Sequence, residues 1–235
     1  MSTYLEKCQK LRKLVGISGS GPAAVTEQSG MNEKITIWIA DADEWIIRKW
    51  EDWSFMLESK KIISAIAGTS TYTLSDLSLT DHGRWRRGSF ARNPGTGSVQ
   101  KLTQILNYDD YLKSDEYLGE AQTGPIEKVI VRPSDDAVIF WPTPTADTTV
   151  WAAYYKKVTR LAADTSVSPI PERFDSATLN RAKMFYAEFL EDTSLYASAE
   201  KDFERDMLRL ESKHAPSFDG NYMSNNDIDE DIVVE

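Results

Sequence analysis

Ile126-Glu127-Lys128-Val129-Ile130-Val131, the turn Pro133-Ser134-Asp135-Asp136, then Ala137-Val138-Ile139-Phe140-Trp141 and Pro142-Thr143-Pro144 form the run that decides how this chain is read. It continues through Val150-Trp151-Ala152-Ala153-Tyr154-Tyr155 to Ser168-Pro169-Ile170-Pro171-Glu172-Arg173-Phe174. Three short runs rich in Val, Ile and aromatics, bounded by Pro, Asp, Ser and Thr, predict an antiparallel meander. Proline cannot donate to a strand ladder, so Pro142 and Pro144 stop the second strand at Trp141. Pro169 and Pro171 hold the approach to the following helix extended.

C-terminal to this run, Asp175 or Ser176 opens a helix with Leu179, Ala182, Phe185, Tyr186, Phe189 and Leu190 on one side. Thr193-Ser194 breaks it, and a last helix carries Leu195, Tyr196, Ala199, Phe203, Met207, Leu208 and Leu210 to about Lys213. The pair is expected to form an αα-hairpin on the long helix of the N-terminal part. That helix spans Asn32 to Trp50, with Asn32 as N-cap and Ile35, Trp38, Ile39, Ala42, Trp45 and Ile46 at helical spacing. Its Asp41, Asp43 and Glu44 are expected on a solvated or interface face. A first amphipathic helix, Ser2 to Leu14, is capped by Ser2 or Thr3 and buries Cys8 between Leu5 and Leu11 as an inert thiol.

Between these helices and the meander lies a second β-rich stretch. Phe55-Met56-Leu57 and Lys60 to Ile63 start it, Thr71 to Leu74 is a short strand, and Leu102, Ile105 and Leu106 form a strand before a helix at Asp109 to Leu118. Thr80 to Ser98 is expected to be a loop. It gathers Arg84, Arg86, Arg87 and Arg92 around Trp85 and Phe90. Arginine beside aromatic rings can grip phosphates or stack on bases. It can equally pair with acidic faces of a neighbouring subunit.

Acidic faces are plentiful, because 27 Lys and Arg stand against 37 Asp and Glu, a formal charge of −10. That balance argues against a general electrostatic grip on nucleic acid. Seven Trp and ten Tyr suit an aromatic core or subunit interfaces. One cysteine excludes an internal disulfide and a Cys-based zinc site. No signal peptide and no run of about 18 apolar residues is present, so a soluble product with no membrane role is expected.

Catalytic chemistry has little to stand on. Gly16-x-x-Gly19-x-Gly21 lacks the preceding strand and following Lys-Ser/Thr of a phosphate loop. His82 and His214 fall in no metal spacing, no Gly-x-Ser-x-Gly elbow occurs, and the acidic residues Asp109 to Glu116 lack EF-hand spacing. No enzyme activity, cofactor or metal is expected. From Ser217 to Glu235 the chain has six acidic residues and no Lys or Arg, with Tyr222, Met223 and Ile232-Val233-Val234 as apolar anchors. It reads either as a solvated acidic tail or as an extended segment laid along a partner, with Ile232 to Val234 as an added strand.

Phe140-Trp141-Pro142-x-Pro144, the Val150-x-x-x-Tyr154-Tyr155-Lys156 strand, Leu161, and Pro169-x-Pro171-Glu172-Arg173-Phe174 before a helix together resemble the head-to-tail adaptor proteins of tailed bacteriophages, the tail tubular protein A-like group. The N-terminal part is similar too, with a short helix, a Gly/Ser-rich loop and a helix ending in Trp50-Glu51-Asp52-Trp53-Ser54-Phe55. The likeness covers Tyr4 to His214.

The expected fold is α+β: an antiparallel helical bundle body (1–54 and 172–214), a β-rich insertion (55–171) and an acidic C-terminal extension (215–235). The resemblance implies a ring of twelve copies in the virion, between portal and tail, continuing the DNA channel. DNA would pass with only non-specific contact. Arg84, Trp85, Arg86, Arg87 and Arg92 would meet a neighbouring subunit or a tail or nozzle protein. Tyr222, Ile232, Val233 and Val234 would meet the portal. A tail terminator or stopper ring, or a nucleic-acid-binding module using residues 80–98, are the alternative readings.

Overall fold

The computed structural model describes residues 2–19, 21–50, 52–93, 99–105, 107–114 and 122–216. Helix α1 (Tyr4–Leu14) starts on a complete capping box: Thr3 accepts from the Glu6 N–H while the Glu6 carboxylate accepts from the Thr3 N–H. Helix α2 (Gly30–Arg48) begins two residues before the expected Asn32, with Ser29 at the N-cap. Its Ile35, Ile39, Ala42 and Ile46 are buried as the spacing predicts. Helices α4 (Asp175–Phe189) and α5 (Thr193–His214) follow the β region. Thr193 opens α5 instead of breaking the helical run. The break is Leu190 to Asp192, where Glu191 takes φ 55° and Asp192 caps Leu195.

The β region is two sheets packed face to face. Sheet one joins β1 (Leu57–Ala65) to β11 (Thr148–Lys156), and β11 pairs on its other side with β3 (His82–Trp85) and β4 (Ala91–Asn93), with β5 (Gln100–Lys101) beyond. Sheet two runs β2 (Thr71–Tyr72), β9 (Val138–Trp141), β8 (Lys128–Val131), β6 (Thr103–Ile105), with β6 and β8 parallel. A parallel pair of β7 (Thr123–Gly124) and β10 (Thr143–Pro144) stands apart, and a short α3 (Tyr108–Lys113) follows β6. Ile63, Trp85, Phe90, Val150 and Tyr154 from sheet one meet Tyr72, Val129, Val138 and Phe140 from sheet two in one core.

Two expectations change here. β8 and β9 form the expected hairpin, Val131 opposite Val138, but the third run leaves it. β11 pairs instead with β1, Ile62 opposite Trp151 and Leu57 opposite Tyr155. Pro142 and Pro144 deny the ladder its donors, so the chain crosses to the other sheet, where nine-residue β1 matches β11 in length. The stretch 80–98 is also more than a loop, since it holds β3 and β4. Their Arg, Gly and Asn residues weaken the local strand signal, and β11 supplies the pairing.

Helix α4 packs against α1, α2 and α5. One core joins Ile46 and Ile47 of α2 to Met184, Phe203, Met207 and Leu210; another joins α1 to α2 through Cys8, Leu11, Ile35 and Ile39. Burial pushes the Cys8 thiol up to about 12, consistent with an inert core residue. Between these helices lies an ion cluster. Lys7 Nζ sits 3.2 Å from Asp43 and 3.3 Å from Asp175, with all three side chains at least nine-tenths buried. Asp43 is therefore interior, correcting the solvated reading of the 41–44 carboxylates. Asp41 and Glu44 stay nearer the surface and both pair with Arg160.

Candidate functional site

The arginine segment is shaped by how it follows β11. β3 pairs with one half of β11, Arg84 opposite Tyr155, and β4 with the other, Arg92 opposite Val150. Between them the chain steps outward at Ala153. The Arg86 N–H donates to the Ala153 carbonyl, and the Ser89 hydroxyl accepts the Ala153 N–H and donates to the Arg86 carbonyl. Gly88 completes the turn at φ 63°, a region where a side chain is strained. Arg86 and Arg87 are thereby held at an exposed apex between two strands paired to β11.

The five side chains separate. Trp85 is 5 % exposed, its indole N–H donating to the Asp136 carbonyl, so it belongs to the sandwich core and not to a docking surface. Its aromatic bulk between Phe90 and Tyr154 is what the core needs. Arg84 pairs with Asp52 and lies over the Tyr155 ring, tying β3 to the connector that follows α2. Arg92 donates to the Gln100 side chain across the β4–β5 pair. Among the described residues, Arg86 and Arg87 have no ion-pair partner. The four residues Tyr222, Ile232, Val233 and Val234 lie outside the described residues.

Arg86 also lines a cleft of about 510 Å³ between the sandwich and the helices. Asp52, Ser54 and Leu57 form one wall, and Glu211, Lys213 and Pro216 at the end of α5 another. Two of its carboxylates are already engaged, Asp52 with Arg84 and Glu211 with Lys49. Arg86 and Lys213 are exposed at its rim. The balance of this cleft is cationic, although the chain as a whole is acidic.

Behind the cleft, sequence reasoning missed a junction. Ser54 Oγ and His214 Nδ1 are 2.8 Å apart, and Arg173 lies 2.8 Å from His214 Nε2. Guanidinium can only donate, so Nε2 is the acceptor and Nδ1 carries the hydrogen, which it donates to Ser54. A histidine so held cannot take a proton from the serine, and the pair is no nucleophile–base couple. Its ring packs edge-on against Phe55 and Phe174, locking the end of α5 to the connector. Only the aromatic cluster Trp50 to Phe55 hinted at this junction in the sequence.

Burial, with Arg173 and Lys213 nearby, holds the His214 pKa below its ordinary 6.5. His82, stacked on Tyr154 and tilted against Trp85, is lowered as well, mainly by burial. The unfolded chain therefore binds these protons first as pH falls. Stability is full above about pH 6.5 and is lost as pH drops through the lowered folded-state values. The melting temperature should fall between pH 7.5 and 5.5. His214→Gln, which keeps an acceptor for Arg173 and cannot protonate, should flatten that fall. A wild-type profile that is level, or rises toward acid, would refute the assignment.

The remaining motifs are structural. The glycine loop wraps Arg12, whose guanidinium donates to the Ser18 carbonyl beside Gly19 and Gly21. Among the described residues no cluster of His, Cys, Asp or Glu could hold a metal ion, and no helix is long and apolar enough to cross a membrane. What the described residues bring together is an exposed arginine apex, a cleft lined by Arg86 and Lys213, and the His214 junction behind them. Compared with known protein families, the chain matches the model described as SU10 adaptor protein over residues 2–225. No curated protein matches it.

Proposed function

This chain belongs to the SU10 adaptor protein family, a phage structural family, and from that premise we propose that it closes into a homo-oligomeric ring at the head-to-tail junction. The ring, of about twelve copies by the resemblance to tail tubular protein A-like adaptors, joins the portal to the tail and continues the DNA channel. Residues 1–54 and 172–214 act as the helical body, 55–171 as an insertion facing the tail, and 215–235 as an extension reaching the portal through Tyr222 and Ile232 to Val234.

The observation that carries the reading is the apex at Arg86 and Arg87. Two exposed arginines without an ion-pair partner among the described residues, presented by strands paired to β11, suit contact with an acidic protein surface. That surface is a neighbouring copy or a tail protein. Such an interface, repeated head to tail, closes into a ring. Arg84 and Arg92 serve within the chain, supporting the strands that present the apex.

Replacing both residues, Arg86→Glu with Arg87→Glu, should leave the fold almost untouched, within about 0.5 kcal/mol as for exposed positions. Co-sedimentation with portal and tail proteins should drop roughly tenfold or more, as expected when a complementary charge is reversed. Unchanged co-sedimentation would remove the apex from assembly. The same arginines give a nucleic-acid reading, which predicts duplex DNA binding at low salt that is lost in Arg86→Ala with Arg87→Ala.

A further inference from the structure

The seam between α2 and α4 carries a second surface, built differently. Trp38 and Trp45 are seven residues apart on α2, and Arg181, Phe185 and Phe189 follow at four-residue steps on α4, so each set forms one helical stripe. The stripes meet. Trp38 packs 5.9 Å from Phe189, and the Arg181 guanidinium lies 4.8 Å from the rings of both Trp45 and Phe185. Yet Trp45 is 40 % and Phe189 45 % exposed, with Ile37 and Leu190 also open to solvent.

The guanidinium makes this seam more than an exposed apolar face. Arg181 Nε is shielded from water and has no hydrogen-bond partner among the described residues. One other nitrogen reaches only the weak acceptor Sδ of Met184, at 3.7 Å. No carboxylate among the described residues pairs with it. A half-buried guanidinium flanked by rings, with one nitrogen shielded and unbonded, lacks what would stabilise it most, an anion beside it.

We infer that this seam is half of the ring interface, and that its occupant is the outer face of α5 from the next copy. This rests on the homo-oligomeric reading above. On α5, Leu208 is 67 % exposed, the most open large apolar side chain among the described residues, and Glu204 stands one turn before it, exposed and without an ion pair among them. Leu208 supplies apolar cover for Trp45 and Phe189, and Glu204 supplies the carboxylate for Arg181. A seam-to-seam contact would oppose two arginines, which like-charge repulsion disfavours. The pairing is heterologous, and repetition gives a ring.

Disulfide trapping tests this, because the single natural cysteine, Cys8, is buried. Full-length Trp45→Cys and Leu208→Cys chains are mixed under mild oxidation, with electron microscopy following assembly. A crosslinked heterodimer in the mixture, and none from either variant alone, is expected. A crosslink from Trp45→Cys alone would overturn the inference in favour of a seam-to-seam contact. Rings that assemble without the mixed crosslink would overturn it while leaving the ring intact. Absence of any self-assembly, with or without portal, would overturn the ring reading and this inference together. Arg181→Met, which keeps packing against the rings, should weaken self-association roughly tenfold or more with an unchanged melting temperature.

Discussion

Lys7→Met is expected to destabilise the fold by about 3–5 kcal/mol, because it takes the close countercharge from two buried carboxylates, Asp43 and Asp175. Methionine fills the space of the lysine stem, so packing is largely conserved and the loss isolates the charge. Asp43 retains one weak partner, the Thr178 hydroxyl at 3.4 Å, and Asp175 retains Lys10 at 3.9 Å. For a chain of this size the melting temperature should fall by roughly 10 °C. Adding Asp43→Asn to Lys7→Met should recover part of the loss, since it removes one of the two stranded charges. A fall below about 1 kcal/mol for Lys7→Met, or no recovery in the double variant, would mean the cluster is hydrated and not an interior ion network.

Trp53→Ala should cost as much, about 3–5 kcal/mol, through loss of a fully buried ring. Trp53 is 0 % exposed and stacks on Phe55 at 5.1 Å. Its indole N–H is shared between the carbonyls of Ile46 and Ile47 in the last turn of α2, where Ile46 also accepts the Lys49 N–H. Trp53→Phe keeps most of the apolar volume and removes only the donor, so about 1–2 kcal/mol is expected. Urea midpoints of the two variants measure the difference. Equal losses would assign the residue's contribution to the hydrogen bond alone; a negligible loss in Trp53→Ala would place it outside the core. The expected size follows from position: Trp53 sits where the last turn of α2, the start of β1 and the end of α5 converge.

The helices were legible in the sequence because their signals are local. The Ile35, Ile39, Ala42, Ile46 stripe and the Thr3–Glu6 cap each lie within a few turns of one another. The Val131–Val138 hairpin was legible for the same reason. β11 was misassigned because its partners come from 57–65 and 82–93, and nothing in Val150 to Tyr155 says which distant strand it meets. Asp43 looked solvated because a helical carboxylate usually is; the lysine that claims it lies on another helix, 36 residues away. Arg84 and Trp85 were grouped with Arg86 and Arg87 by composition. Strand alternation then separates them, turning Trp85 into the core and leaving the apex outside.

The most direct test of the account is negative-stain electron microscopy of this protein co-expressed with the portal protein of its own phage. The account predicts a ring of density stacked on the narrow end of the portal, weakened when the chain is cut after His214. A bare portal, with the protein instead decorating tails, would contradict it and favour a terminator or stopper. Binding to neither would leave an adaptor-family fold with no place at the head-to-tail junction.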